Sequence, residues 1–239
     1  MVRIMFFKKN LFFIYTALFI LYLIFIILAF LNIESFYTVS SDSKLLPTVI
    51  IDAGHGGEDG GAVANNVIEK DLNLNIAKKL GCLLKTSGFK VKLTRNSDKM
   101  INSAGSSLRE RKVSDMKNRL KIFNGGENNV VISIHQNKFE LEKYNGTQVF
   151  YSVNNEKSKL LAEEIKTSVN KLIQPYNNRE VKPADRNIYL LYNSKVPSVI
   201  VECGFISNYE EAERLKDNEY RNKLVFSIYS GFMNFYNNR

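Results

Sequence analysis

Apolar positions along the 239-residue chain fall into two regimes. One unbroken run lies near the amino terminus; short apolar stretches then alternate with longer periodic ones. Residues 11–31, LFFIYTALFILYLIFIILAFL, carry no charge, a length that suits a membrane-spanning helix. Arg3, Lys8 and Lys9 precede the run and Glu34 follows it, which predicts a cytoplasmic amino terminus with residues 32–239 across the membrane. The run exceeds the usual apolar core of a signal peptide, and Ala29-Phe30-Leu31 offers no good cleavage site, so an anchor is favoured over a cleaved signal. The expected organisation is a basic tip and membrane anchor or uncleaved signal over 1–31, a polar tether over 32–46 and one folded domain over 47–239.

Beyond Pro47 the pattern predicts alternating strands and helices. Thr48–Ile51 reads as a buried strand ending at Asp52. Residues 69–86 place Leu72, Ile76, Leu80, Leu83 and Leu84 at helical spacing, and Phe89–Leu93 alternates as a strand after Gly88. A helix near 109–124 would turn Val113, Met116, Leu120 and Phe123 inward, closing at Asn124-Gly125-Gly126. Val130–Ile134 reads as the central strand, 147–152 as another, 156–173 as a helix, and 187–191 and 199–201 as strands. The tail from 208 to 236 is helical with a break near 216–218. Such alternation predicts an α/β domain: a central, mostly parallel sheet flanked by helices on both faces, preceded by one N-terminal hydrophobic helix.

Composition narrows the classes. Two Cys exclude a disulfide framework, and two His exclude a multi-histidine metal cluster. Removing the three basic residues of 1–31 brings the net charge from +9 to +6, spread among interleaved Lys and Glu. With no zinc finger or dense basic stripe, nucleic acid is a poor partner. An anionic envelope polymer or membrane surface fits weakly.

Three expected strand ends carry unusual residues: Asp52–Gly61 with His55, Ser133–Asn137 with His135, and Glu202-Cys203-Gly204. Ligands gather at such ends in open α/β sheets. The glycines at 54–61 do not meet a nucleotide fingerprint, and Glu58-Asp59 would repel a phosphate. His55 and His135 could supply two nitrogens to a catalytic zinc, with a carboxylate drawn from Asp52, Glu58, Asp59, Glu69 or Glu202. Glu69 opens the first long helix, whereas Glu202 suits taking a proton from the attacking water; spacing does not separate these roles. If Glu202 enters the crevice, strand alternation turns Cys203 away from it. Cys82 reads as a buried filler, and a Cys82–Cys203 disulfide is permitted but not indicated.

Four segments resemble the zinc-dependent N-acetylmuramoyl-L-alanine amidases of the Amidase_3 group: IDAGHGGEDGGAV at 51–63, EKDLNLNIAKKL at 69–80, SIHQN at 133–137 and PSVIVECGFISN at 197–208. The resemblance implies one zinc ion held by His55, Glu69 and His135, with Glu202 as catalytic acid/base, and makes 47–239 a zinc amidase catalytic domain. It implies hydrolysis of the amide between N-acetylmuramic acid and L-alanine in peptidoglycan, whose glycan strands with peptide stems are the partner. Gly56, Gly57 and Asn137 are candidates for positioning that substrate. Gln136 stands where such enzymes often have Ala, and the chain is longer than typical over 96–118.

That expansion and the single amino-terminal hydrophobic run are similar to the germination-specific amidases of spore cortex maturation, which lead to muramic-δ-lactam. The similarity implies a sporulation lipoprotein partner and an extracytoplasmic, membrane-anchored or secreted location in the intermembrane space of the developing spore. The alternatives are a zinc peptidoglycan peptidase or carboxypeptidase, and an inactive envelope interaction module.

Overall fold

The computed structural model describes residues 15–28, 46–102 and 105–238. Its chain divides into two units, Met1–Leu45 and Leu46–Arg239. In the first, residues 15–28 are helical (α1). Among the described residues no helix is long and apolar enough to cross a membrane. This corrects the expected transmembrane anchor: the reading of 11–31 as a signal-anchor, the membrane contact through it and the membrane-anchored location built on it are set aside. The expected basic tip, residues 11–14 and 29–31 of the run, and the tether apart from Leu46 lie outside the described residues.

In the second unit a six-stranded sheet is built from β1 (Thr48–Ala53), β4 (Lys90–Leu93), β5 (Asn129–Asn137), β6 (Gln148–Tyr151), β7 (Lys182–Pro183) and β8 (Ser198–Phe205). Their order is β4-β1-β5-β8-β6-β7, and β4, β1, β5 and β8 are parallel. β6 runs antiparallel to β8. A separate hairpin pairs β2 (Val63–Ala64) with β3 (Val67–Ile68). Its turn residues, Asn65 and Asn66, both have positive φ, which suits a two-residue hairpin loop.

Strand alternation decides what each face carries. Val49, Ile51, Val130, Ile132, Ile134, Val199, Val201 and Cys203 join the main core. That core is completed by α2 (Glu69–Thr86), α4 (Lys157–Leu172), α6 (Tyr209–Lys216) and α7 (Asn218–Asn237). Ile50, Val131 and Ile200 point the other way, towards α3 (Leu108–Phe123) and α5 (Tyr189–Asn193). Asp52, Ser133, His135 and Glu202 share the parity of this second face, which is less filled by apolar side chains. Polar chemistry therefore accumulates there.

Local chemistry sets the helix limits. Ser107 and Glu110 close a reciprocal capping box at the start of α3. Asp217 caps α7 by accepting from Tyr220 N, which places the expected tail break between α6 and α7. Residues 187–191 depart from expectation. Asp185 accepts from Asn187 N and Ile188 N, the chain coils, and α5 buries Leu190 and Leu191 as a helix instead of a strand. Val113 is exposed on α3, since that helix meets the sheet through Phe123 and charged side chains. Cys82 is exposed rather than a buried filler, and both cysteines are free, with Cys203 buried in the core facing away from Glu202's side of the sheet.

The packing of α7 on α4 depends on one small residue. A Cβ at Gly231 would lie 2.4 Å from Ile165 Cα and 2.8 Å from Glu164 O, both on backbone that cannot yield locally. Gly231→Ala should therefore separate the two helices and cost about 1–3 kcal/mol, as overpacking does. A lowered urea midpoint checks this; unchanged stability would contradict it.

Candidate metal centre

The loop after β1 begins as the strand ends. His55 has φ 61, in the left-handed region that L residues seldom occupy. It is held there by the backbone pair between Gly56 and Asp59 and by Arg119, whose Nη2 donates to His55 O at 2.7 Å. Gly57 N donates to Asp98 Oδ1 at 2.7 Å, and Lys70 Nζ bridges Gly57 O and Asp98. The backbone N–H groups of Gly56 and Gly57 thus donate within the loop and to Asp98. Asp98, from the segment before α3, thereby braces this loop.

Glu69 is delivered by the β2–β3 hairpin. Its backbone N donates to Ala62 O at 3.0 Å, while its Oε2 accepts from Ala62 N at 2.8 Å. As the first residue of α2 it sits where a helix favours negative charge. Its Oε1 lies 3.2 Å from His55 Nε2 and 3.0 Å from His135 Nδ1, and also accepts from Gln136 N and Asn73 Nδ2. The candidate ligand atoms of His55, Glu69 and His135 all fall within 4.8 Å of one another.

The close fit around them is specific. A Cβ at Gly54 would stand 2.3 Å from the His135 ring, and one at Gly61 would meet both Glu69 Oε2 and the His55 ring below 3 Å. Of the other carboxylates weighed from sequence, Asp52 pairs with Arg119, Glu58 pairs with Arg111, and Asp59 Oδ2 lies 2.8 Å from His55 Nδ1. Glu202 stands opposite His135 in the β5–β8 register. Its Oε2 is shielded from solvent and has no hydrogen-bond partner among the described residues. Burial pushes its carboxyl up to about 7, Glu69 adding to the rise and the two histidines opposing it. Gln136 faces the opposite way, donating to Asn73 Oδ1.

The electrostatics favour a cation among these side chains. Burial would lower the pKa of His55, but Asp59 and Glu69 outweigh it and raise it to about 9. Glu69 is itself held far below the carboxylate range, the histidines overcoming its burial. Two imidazoles and one carboxylate, converging within 4.8 Å of one another, fit a single divalent cation of zinc type.

Beneath lies a buried network that the sequence reading did not anticipate. Asp52 accepts from Thr94 Oγ1 (2.7 Å), Ser133 Oγ (2.6 Å) and Arg119, while Arg119 Nε also binds Asp115 at 2.6 Å. Arg95 donates to the carbonyls of Ala53, Gly54 and Lys70. Burial alone pushes the Asp52 carboxyl up; the Arg119 charge and the Ser133 hydroxyl outweigh it and hold it below the usual range. Above this network a cavity of about 260 Å³ is lined by His55, His135, Lys112, Met116 and Leu190, among others.

Comparison with known proteins follows the same geometry. The Amidase_3 profile, described as N-acetylmuramoyl-L-alanine amidase, matches residues 49–234. The chain belongs to this family. It is 33% identical over 189 residues, 79% of each chain, to the germination-specific N-acetylmuramoyl-L-alanine amidase of Bacillus subtilis strain 168. It is 40% identical, with a TM-score of 0.77, to the CwlD amidase of Clostridioides difficile solved in complex with the GerS lipoprotein, covering 81% of this chain and all of that one. An N-acetylmuramoyl-L-alanine amidase from Clostridium difficile 630 aligns at 27% identity and a TM-score of 0.71, over 81% and 98% of the two chains. This Amidase_3 member is accordingly a metallohydrolase with an amidase-type activity on peptidoglycan.

Two outcomes follow. Arg119→Met strands Asp52 in the interior and should cost about 3–5 kcal/mol, read as a fall in urea midpoint. The stability from Asp52 is present above about pH 4 and is lost as pH falls through the lower native value, so the gap between wild type and variant should narrow in acid. Gly54→Ala should displace the His135 ring and weaken zinc binding, measured by chelator competition, while the far-ultraviolet spectrum stays native.

Proposed function

We propose that this chain hydrolyses the amide between the lactyl group of N-acetylmuramic acid and the L-alanine of the peptide stem, with His55, Glu69 and His135 as ligands of one zinc ion. The domain doing so spans 47–239. The observation that carries the reading is the convergence of those three side chains beside Glu202 in a member of the amidase family. When bound, zinc would polarise the scissile carbonyl and lower the pKa of the attacking water.

The chain's own residues supply the rest. Glu202 takes the proton released as water adds to the carbonyl carbon, then returns it to the nitrogen as the C–N bond breaks. A carboxyl raised to about 7 is matched to that exchange near neutrality. Asn73, Gln136 N and Ala62 N orient Glu69, so its carboxylate does not have to reorganise during the reaction. In this reading the stem lies in the cavity beside His55 and His135, which Met116 and Leu190 also line.

The setting we infer is spore cortex maturation, in which peptide removal precedes muramic-δ-lactam formation; similarity to the germination-specific relative supports it. A lipoprotein partner belongs to the same proposal, because the Clostridioides difficile relative was solved with one.

Muropeptide analysis tests the chemistry. Wild type should release stems with new L-alanine amino termini from intact glycan; shortened stems would instead indicate a peptidase and overturn the bond assignment. Glu202→Gln should keep zinc yet lose roughly 10²–10⁴-fold in rate. His55→Ala should lose the zinc itself. Cortex from a strain lacking the protein should contain no muramic-δ-lactam, and a normal content would remove the sporulation setting.

A further inference from the structure

We propose that Asp59 is a positioning residue for His55 and that Lys112, reaching across from α3, sets the aim of that carboxylate; the inference rests on the zinc reading above. The His55 ring has two different neighbours. Its Nδ1 lies 2.8 Å from Asp59 Oδ2, and its Nε2 lies 3.2 Å from Glu69 Oε1. With Nδ1–H donating to Asp59, the Nε2 lone pair is presented to the cluster, and the ring is fixed against rotation. A carboxylate behind a ligating imidazole plays this part at many metal sites.

Asp59 is itself held from a second element. Its Oδ1 accepts from Lys112 Nζ at 2.7 Å and from Gly61 N at 3.3 Å. Lys112 lines the cavity beside His55, so the aim of the ring is tied to the wall of the cleft. The neighbouring pair, Glu58 with Arg111, joins the same loop to the same helix but touches none of the candidate ligands. It provides an internal control for simple bracing of the loop.

The test uses the full chain, with zinc affinity from chelator competition and the cobalt(II) absorption spectrum as a second readout; thermal unfolding of the metal-free protein confirms folding. Asp59→Ala should weaken zinc binding about 10–100-fold and alter the cobalt spectrum. Asp59→Asn keeps an acceptor for Nδ1–H and should restore much of both. Lys112→Met should give a smaller loss than Asp59→Ala, and Glu58→Gln none. Wild-type affinity and spectrum in Asp59→Ala would overturn the inference alone. An equal loss in Glu58→Gln would also overturn it, reducing the pair to loop bracing. Failure of the wild type to bind zinc would overturn the zinc reading itself, and this inference with it.

Discussion

The Glu69 carboxylate is the point on which the site depends. It meets His55 and His135 through one oxygen, receives Gln136 N and Asn73 there, and takes Ala62 N on the other. Those partners come from the loop after β1, the end of β5, the hairpin approach and α2 itself. A buried carboxylate is costly unless hydrogen-bonded and paired, so every one of these elements must arrive in register for it to be tolerated. The Asn65-Asn66 turn, the start of α2 and the small residues Gly54 and Gly61 follow from that demand.

A second layer of charge turns this local arrangement into a rigid one. Arg119 and Arg95 spend their donors on Asp52 and on the carbonyls that run from Ala53 to His55, where the strand's own ladder has ended. Backbone carbonyls buried at a strand end need partners, and two guanidiniums supply several donors each in a fixed geometry. α3 owes its place to this polar work more than to apolar packing: its buried residues include Asp115, Arg119 and Phe123. The segment before it adds Asp98, which accepts from Gly57 N, and Ile101, whose N donates to Asp115.

Much of the fold was legible because its causes are periodic. The main-core positions of α2 at Leu72, Ile76, Leu80 and Leu84, the uncharged cores of β1, β5 and β8, and the Asp217 interruption of the tail follow from spacing and capping. Where periodicity is weak or short, it misled. Residues 187–191 were too few to distinguish strand from helix, and the Asp185 turn decided the matter. Val113 and Cys82 lie at apolar-looking positions whose helical faces happen to meet water. The uncharged run over 11–31 matched the length of a bilayer, but among the described residues no helix is long and apolar enough to cross one. For the site, strand-end placement brought His55 and His135 to one crevice, whereas five carboxylates remained open by spacing.

By itself, then, the sequence determined which chemistry was available: two histidines, both near the ends of expected strands, and a resemblance that singled out Glu69 and Glu202. Tertiary structure alone decided which carboxylates answer to which cations. Asp52 went to Arg119, Glu58 to Arg111 and Asp59 to Lys112 and the back of His55, leaving Glu69 between the imidazoles. The physical reason is range. Periodicity and capping act over a few neighbouring residues, whereas ion pairs such as Asp52 with Arg119 join positions 67 residues apart and exist only once the sheet and α3 have met.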